Sequence, residues 1–178
     1  FQLEDFFSTF LRNFPQQASF TEEIMDAPIR WYGGNTIRGE KAYLPTGLSH
    51  NFLHGSNGMA SGNSVEEALL QGTCEVIERH CKTLVFNDRR DTPLIDISTI
   101  DHPVARKLIS NFRKLGQEVI VRDFSFGMGV PVIGVIRVVD DKHCYMTAGV
   151  ATCQNEALVR ALTENSQMEH EKGKMLIR

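Results

Sequence analysis

The sequence holds no run approaching the roughly twenty consecutive apolar residues that cross a bilayer. Its first residues also lack the basic-then-apolar layout of a secretory leader, so a cytoplasmic setting without a membrane partner is expected. Cysteine is scarce: Cys74, Cys81, Cys144 and Cys153 form no CxxC pair and no Cys/His set at zinc spacing. The six histidines make no HExxH and no other recognisable ligand pair. A long basic run is missing too, and with a net charge of −3 the chain carries no general electrostatic footprint for nucleic acid. No GxxxxGK[ST] sequence marks a P-loop, despite the glycine-rich NGMASGN at 57–63. Repeats and low-complexity segments are absent as well.

What remains is an ordinary globular composition. The 178 residues, 42% hydrophobic and 23% charged, suffice for one substantial core. The chain starts at Phe1 rather than methionine and reaches Arg178 inside a helical pattern with no glycine stop, so it is expected to be a piece of a longer protein.

The stretch SVEEALLQGTCEVIERHCK, Ser64 to Lys82, is the most informative. Ser64 followed by Glu67 fits a capping box, which predicts a helix starting there. At about 100° per residue, with Glu67 as zero, Glu78 falls at about 20°, Gln71 at about 40°, Ser64 and Lys82 at about 60°, and Glu75 at about 80°. Three carboxylates thus share one sector. Leu70, Cys74, Ile77, Cys81 and Leu84 form an apolar arc, with Leu69 and Val76 roughly opposite the carboxylates. The helix is therefore expected to be wrapped by protein except along an acidic strip, with Cys74 and Cys81 as packed thiols. Glu67 can be read as part of the cap or as a functional group, and Glu75 and Glu78 as functional groups or a solvated face.

Elsewhere, Leu3, Phe6, Phe7, Phe10, Leu11 and Phe14 recur at helical spacing before Pro15, which predicts a short amphipathic helix with an aromatic face. The glycine-rich stretch from Pro28 to His50 reads as short strands or loop. DRRDTPLIDISTI reads as a loop leading into a short segment, and DHPVARKLISNFRKLGQ as a helix capped by Asp101, with Pro103 in its first turn and Gly116 as its stop. EVIVRDFSF, VPVIGVIRVVD and HCYMTAGVAT are β-branched runs separated by FGMG and DDK, which predicts consecutive antiparallel strands. NEALVRALTENSQMEHEKGKML reads as a final helix. The fold class expected is α+β: a mostly antiparallel sheet, a three-strand meander, covered by helices.

That final helix carries a second charged ribbon. At about 100° per residue, with Glu156 as zero, Gln167 lies at about 20°, Arg160 at about 40°, Glu171 at about 60° and Glu164 at about 80°. Ion pairing along the helix, Glu156 to Arg160 to Glu164, is the simpler reading of this ribbon alone. If the two helices pack side by side, however, their strips can face one cleft holding more carboxylates than Lys82 and Arg160 neutralise. Hard divalent cations with oxygen ligands would compensate, and magnesium shares its coordination between carboxylates and nucleotide phosphates. Magnesium with ATP follows as the motivated hypothesis.

NGMASGNSVEEALLQGTCEVIERH resembles the first nucleotide-site motif of YcaO-domain proteins, with Ser64, Ala68, Glu75, Glu78 and Arg79 at the matching positions. RALTENSQ resembles the second, Arg-x-x-x-Glu-x-x-Gln, through Arg160, Glu164 and Gln167. The resemblance extends from about Leu44 to the C-terminus. Residues 1–45 are expected as an N-terminal amphipathic helix and irregular segment, and the resemblance implies 46–178 as part of a nucleotide-binding domain. It further implies ATP and Mg2+ as cofactors, with Glu75, Glu78 and Glu164 holding metal and Ser64, Arg160 and Gln167 contacting the nucleotide. The implied reaction is phosphorylation of a peptide backbone amide oxygen, leading to an azoline, a thioamide or an amidine, on a peptide or protein substrate that a partner protein can deliver. A homodimer is usual for such proteins. The further acidic and arginine motif of the family would fall at or just past Arg178, with Glu169 and Glu171 standing nearer than expected, so this piece alone is expected to be inactive. The alternative is a non-catalytic accessory domain of the same fold that binds a peptide or a partner protein.

Overall fold

A computed structural model describes residues 31–45, 57–168 and 175–176. The predicted N-terminal aromatic helix, and Glu169 and Glu171, lie outside the described residues. The chain divides into two compact units, residues 1–56 and 57–178.

In the first unit, β1 (Trp31–Asn35) pairs antiparallel with β2 (Lys41–Pro45), in the region read as short strands or loop. Thr36 closes the turn: its Oγ1 accepts from the backbone N–H of Arg38 and of Glu40.

The second unit is built on a five-stranded antiparallel sheet, β3-β4-β5-β6-β7. Its strands are β3 (Leu94–Ile95), β4 (Glu118–Asp123), β5 (Val132–Asp140), β6 (His143–Val150) and β7 (Met175–Leu176). The predicted meander is its centre, and the alternation of side chains along β5 explains how it is covered. Ile133 and Val135 point into one core with Val119 and Val121 of β4, where α2 (Pro103–Lys114) and α3 (Gln154–Gln167) pack through Ile109, Phe112, Ala157, Leu158, Ala161 and Leu162. Val132, one residue out of phase, points to the opposite face with Ala148 and Val150 of β6. There α1 (Val65–Phe86) contributes Cys74 and Cys81. The helices therefore do not lie side by side. The sheet separates α1 from α2 and α3.

Two expectations about element ends change and one holds. Helix α2 is capped not by Asp101 but by His102, because Pro103 occupies the first helical position and holds the residue before it extended, with φ −63° and ψ 121°. Gly116 does end α2, at φ +74°, where Gln117 N–H reaches Phe112 O and Gly116 N–H reaches Arg113 O in a Schellman arrangement. Helix α3 stops at Gln167 with Met168 as its cap, whereas the apolar spacing runs on towards the C-terminus. Met175 and Leu176 instead form β7 against Cys144 and His143, because the edge of β6 offers backbone partners that an isolated final turn lacks.

The largest correction concerns α1. Val65, Leu69, Leu70, Val76 and Phe86 are exposed, and only Gly72, Cys74 and Cys81 are fully buried. Glu78 and Lys82, by contrast, each expose only 16% of the side chain. The later part of the charged strip, Glu78 and Lys82, is thus largely covered while Ser64 and Glu67 are exposed, and of the apolar arc Cys74 and Cys81 are buried while Leu70 is not, so the helix is not wrapped all round except along its acids.

Candidate functional site

Helix α1 begins as its sequence dictates. Ser64 is extended at φ −137° and its Oγ accepts from Glu67 N–H at 3.2 Å, while Glu67 Oε2 accepts from Asn63 N–H at 2.7 Å. Glu67 is thereby occupied in capping. Ser64 is exposed, and its side chain also hydrogen-bonds the Glu66 carboxylate.

Glu75 has a structural partner that the sequence did not disclose. Its Oε2 accepts from Gly58 N–H at 3.3 Å, and its Oε1 pairs with Arg79 at 3.6 Å. Gly58, at φ +79°, sits so close to α1 that a Cβ on Gly72 would stand 2.7 Å from the Gly58 carbonyl oxygen. Glu75 therefore fastens the glycine-rich approach to the helix, and Arg79 keeps half its side chain in solvent.

Glu78 lies deeper. Burial raises its carboxyl pKa above the ordinary value; Lys82, at 3.6 Å, opposes the rise, and Glu164 of α3 adds to it. Two carboxylates from helices on opposite faces of the sheet thus feel each other. The contact runs past β6, whose outer neighbour β7 pairs only with His143 and Cys144 among the described residues. Gln71 and Arg160 complete it. Arg160 Nη1 donates to Gln71 Oε1 at 2.9 Å, and Nη2 pairs with Glu156 Oε1 at 2.9 Å.

Helix α3 is pressed onto β6 at Gly149, where a Cβ would meet Ala157 O at 2.2 Å and Ala161 N at 2.6 Å. Thr147 Oγ1 donates to Ala161 O at 2.8 Å from the same face. The fold thus joins α1 to α3 through Gln71 and Arg160, and Glu164 of α3 acts electrostatically on Glu78 of α1. Ser64 stands at the start of α1, and Gln167 is exposed at the last residue of α3. Gln71 sits in the charged sector of α1, and neither motif gives it a role.

Among the described residues, no three histidine, cysteine, aspartate or glutamate side chains stand close enough to hold a metal by themselves. Surface depressions of about 520, 560 and 450 Å³ lie elsewhere: along the outer face of α1, beside α2, and at the start of α3. No helix among the described residues is long and apolar enough to cross a membrane. Cys74 and Cys81 are packed thiols as expected, and burial together with the nearby Asp123 and Glu78 carboxylates pushes Cys81 up to about 11.

Residues 8–174 match the family model described as YcaO cyclodehydratase, ATP- and Mg2+-binding. The chain belongs to the YcaO family. The match takes in most of the N-terminal segment, which the two motifs left out. An uncharacterized protein of Methanothermobacter thermautotrophicus is 36% identical over 69% of this chain and 33% of its own length. This YcaO chain also resembles a solved heterocyclase in complex with substrate and cofactor, with 28% identity and a TM-score of 0.68 over 79% of this chain and 21% of that one. The YcaO protein of Methanopyrus kandleri bound with AMPPCP and Mg2+ is similar at 25% identity and a TM-score of 0.64, over 85% of this chain and 45% of that one. The chain spans a third of the length of the Methanothermobacter relative. ATP and Mg2+ as cofactors agree with the family's description, and the mixed helix and antiparallel sheet agrees with these folds.

Proposed function

We propose that this chain is part of an enzyme that uses ATP and Mg2+ to phosphorylate a peptide backbone amide oxygen. A cysteine, serine or threonine side chain, a sulfur donor or an amine would then displace that phosphate, giving an azoline, a thioamide or an amidine. What supports the reading is the family match over residues 8–174 together with the Arg160–Gln71 bond that joins the two motif helices.

Glu78 and Glu164 would hold magnesium, with Glu75 joining them by releasing Arg79 or Gly58. Bound there, the metal supplies charge neutralisation at the phosphates. The protein's own residues supply position. Ser64 offers a hydroxyl donor at the N-terminus of α1, where helix N–H groups favour an anion. Arg160, fixed by Glu156 and Gln71, presents its guanidinium at the junction of α1 and α3. Gln167 offers an exposed carboxamide one turn beyond Glu164. No protein nucleophile is required, because phosphoryl transfer rests on positioning and electrostatics.

A second reading, a non-catalytic domain that binds a peptide or partner protein, draws on the exposed Val65, Leu69 and Val76 of α1. Calorimetry on the full-length protein separates the two. Magnesium-dependent ATP binding is expected, weakened at least tenfold, or about 1.4 kcal/mol, by Glu78→Ala and by Glu164→Ala, and by a smaller factor in Glu75→Ala. Unchanged binding in all three variants would end the assignment.

A further inference from the structure

Arg137 is the one charged residue in the middle of a β-branched strand, and it is completely buried. Its guanidinium lies between the rings of Phe112 on α2 and Tyr145 on β6, at 4.7 and 4.8 Å. Nη1 donates to Gln117 Oε1 at 3.0 Å. Two further bonds converge on one residue of α3: Nε donates to Asn165 Oδ1 at 2.7 Å and Nη2 to Asn165 O at 3.0 Å. Asn165 is equally buried. Its Nδ2 donates to Val135 O at 3.2 Å, Tyr145 O at 3.3 Å and Thr147 Oγ1 at 3.2 Å.

The Asn165 carbonyl belongs to the last turn of α3, where carbonyls lack intrahelical partners and a cation is favoured. A planar fork gripping both the backbone and the side chain of one residue also fixes the rotation of the helix about its axis, which apolar packing alone leaves looser. Since neighbouring helical residues point about 100° apart, pinning Asn165 to the sheet determines where Glu164 is aimed. Stability alone is a weak reason for such an arrangement, because apolar residues of similar volume commonly replace buried ionic groups without loss.

We propose that Arg137 and Asn165 are positioning residues that lock the rotation of α3 and so set where Glu164 is aimed relative to α1. The proposal rests on the reading of Glu164 as a ligand of the magnesium–nucleotide site. It adds two residues that neither motif specifies, one of them on a strand.

The test is calorimetry of AMPPCP with Mg2+ on the full-length protein, with thermal unfolding measured on the same samples. Arg137→Lys keeps the charge and loses the fork, and Arg137→Met combined with Asn165→Leu replaces the pair by apolar volume. Thr147→Val removes a milder contact of the same network. Ile109→Val, a truncation in the α2 core, is the control for simple loss of stability. The Kd well below the unfolding temperature is expected to rise on the order of 10- to 100-fold in Arg137→Lys and in the double variant. It should rise less in Thr147→Val and stay unchanged in Ile109→Val. Lower unfolding temperatures with an unchanged Kd in every folded network variant would overturn the positioning role and leave the site intact. Should Arg137→Lys and the double variant fail to fold, Thr147→Val decides by the same comparison. A wild-type protein that binds no magnesium–nucleotide would overturn the site reading, and this proposal with it.

Discussion

Glu78 shows how a residue can lower stability where it serves a site. Its carboxyl titrates above the ordinary 4.5, because burial disfavours the charge and Glu164 repels it. Between 4.5 and its raised value, the folded chain keeps a proton that the unfolded chain has released. Stability therefore falls as pH rises through that window, and the penalty is fully present at neutral pH. Glu78→Gln is expected to raise the unfolding temperature of the metal-free protein at pH 7, by about 0.5 kcal/mol or more in stability, and to leave it little changed below pH 4. Magnesium affinity is expected to weaken on acidification starting at a higher pH than an ordinary carboxylate would dictate, since the ion needs the ionised form. Calorimetric titrations from pH 8 to 5 check the sign. The thiols give a second expectation at this scale. Ellman's reagent at pH 8 should modify the exposed Cys153 readily and the buried Cys74, Cys81 and Cys144 only on unfolding. Helical spacing and motif together singled out Glu78 and Glu164 in the sequence, and their role as ligands is part of the proposal. The partner of Glu75 was not, because the backbone N–H of Gly58 carries no side-chain signal and is positioned only by the close approach to Gly72.

Among the elements, the contact of α3 with β6 is the least tolerant. Gly149→Ala would place a methyl 2.2 Å from Ala157 O, so the helix must lift. A loss of about 1–3 kcal/mol is expected by thermal or denaturant unfolding, with weaker magnesium binding because Glu164 travels with the helix. A loss below about 0.5 kcal/mol, the range of an ordinary surface substitution, would contradict a rigid contact there. The elements themselves were largely readable: capping at Ser64, glycine at 116 and β-branched runs at 118–150 name α1, the end of α2 and the meander. Periodicity failed where tertiary partners decided. Apolar spacing in α1 could not tell how much of the arc the sheet would take, and the sheet took Cys74 and Cys81 with Glu78 and Lys82 largely covered as well, leaving Leu69, Leu70 and Val76 exposed. Asp101 lost the cap of α2 to its neighbour because proline fixed the first turn one residue later. Arg137 was readable only as a charge in an apolar strand, and its pairing with Asn165 depends on a contact 28 residues away.

At the scale of the molecule, two motifs about ninety residues apart in sequence meet because a central antiparallel sheet carries α1 on one face and α3, with α2, on the other, and α1 and α3 reach each other past β6. Like charges drawn together by folding store an energy that a cation releases, and ligand binding to the folded state alone raises the unfolding temperature. The most direct measurement is the unfolding temperature of the full-length protein at pH 7, with and without MgCl2 and AMPPCP, for wild type and for Glu78→Gln combined with Glu164→Gln. Wild type should rise in stability by about 2.7 kcal/mol when the complex is supplied at a hundredfold excess over its Kd. The double variant should start higher without ligand and gain nothing from it. A double variant that starts no higher and still gains as much as wild type would contradict a shared magnesium site between α1 and α3.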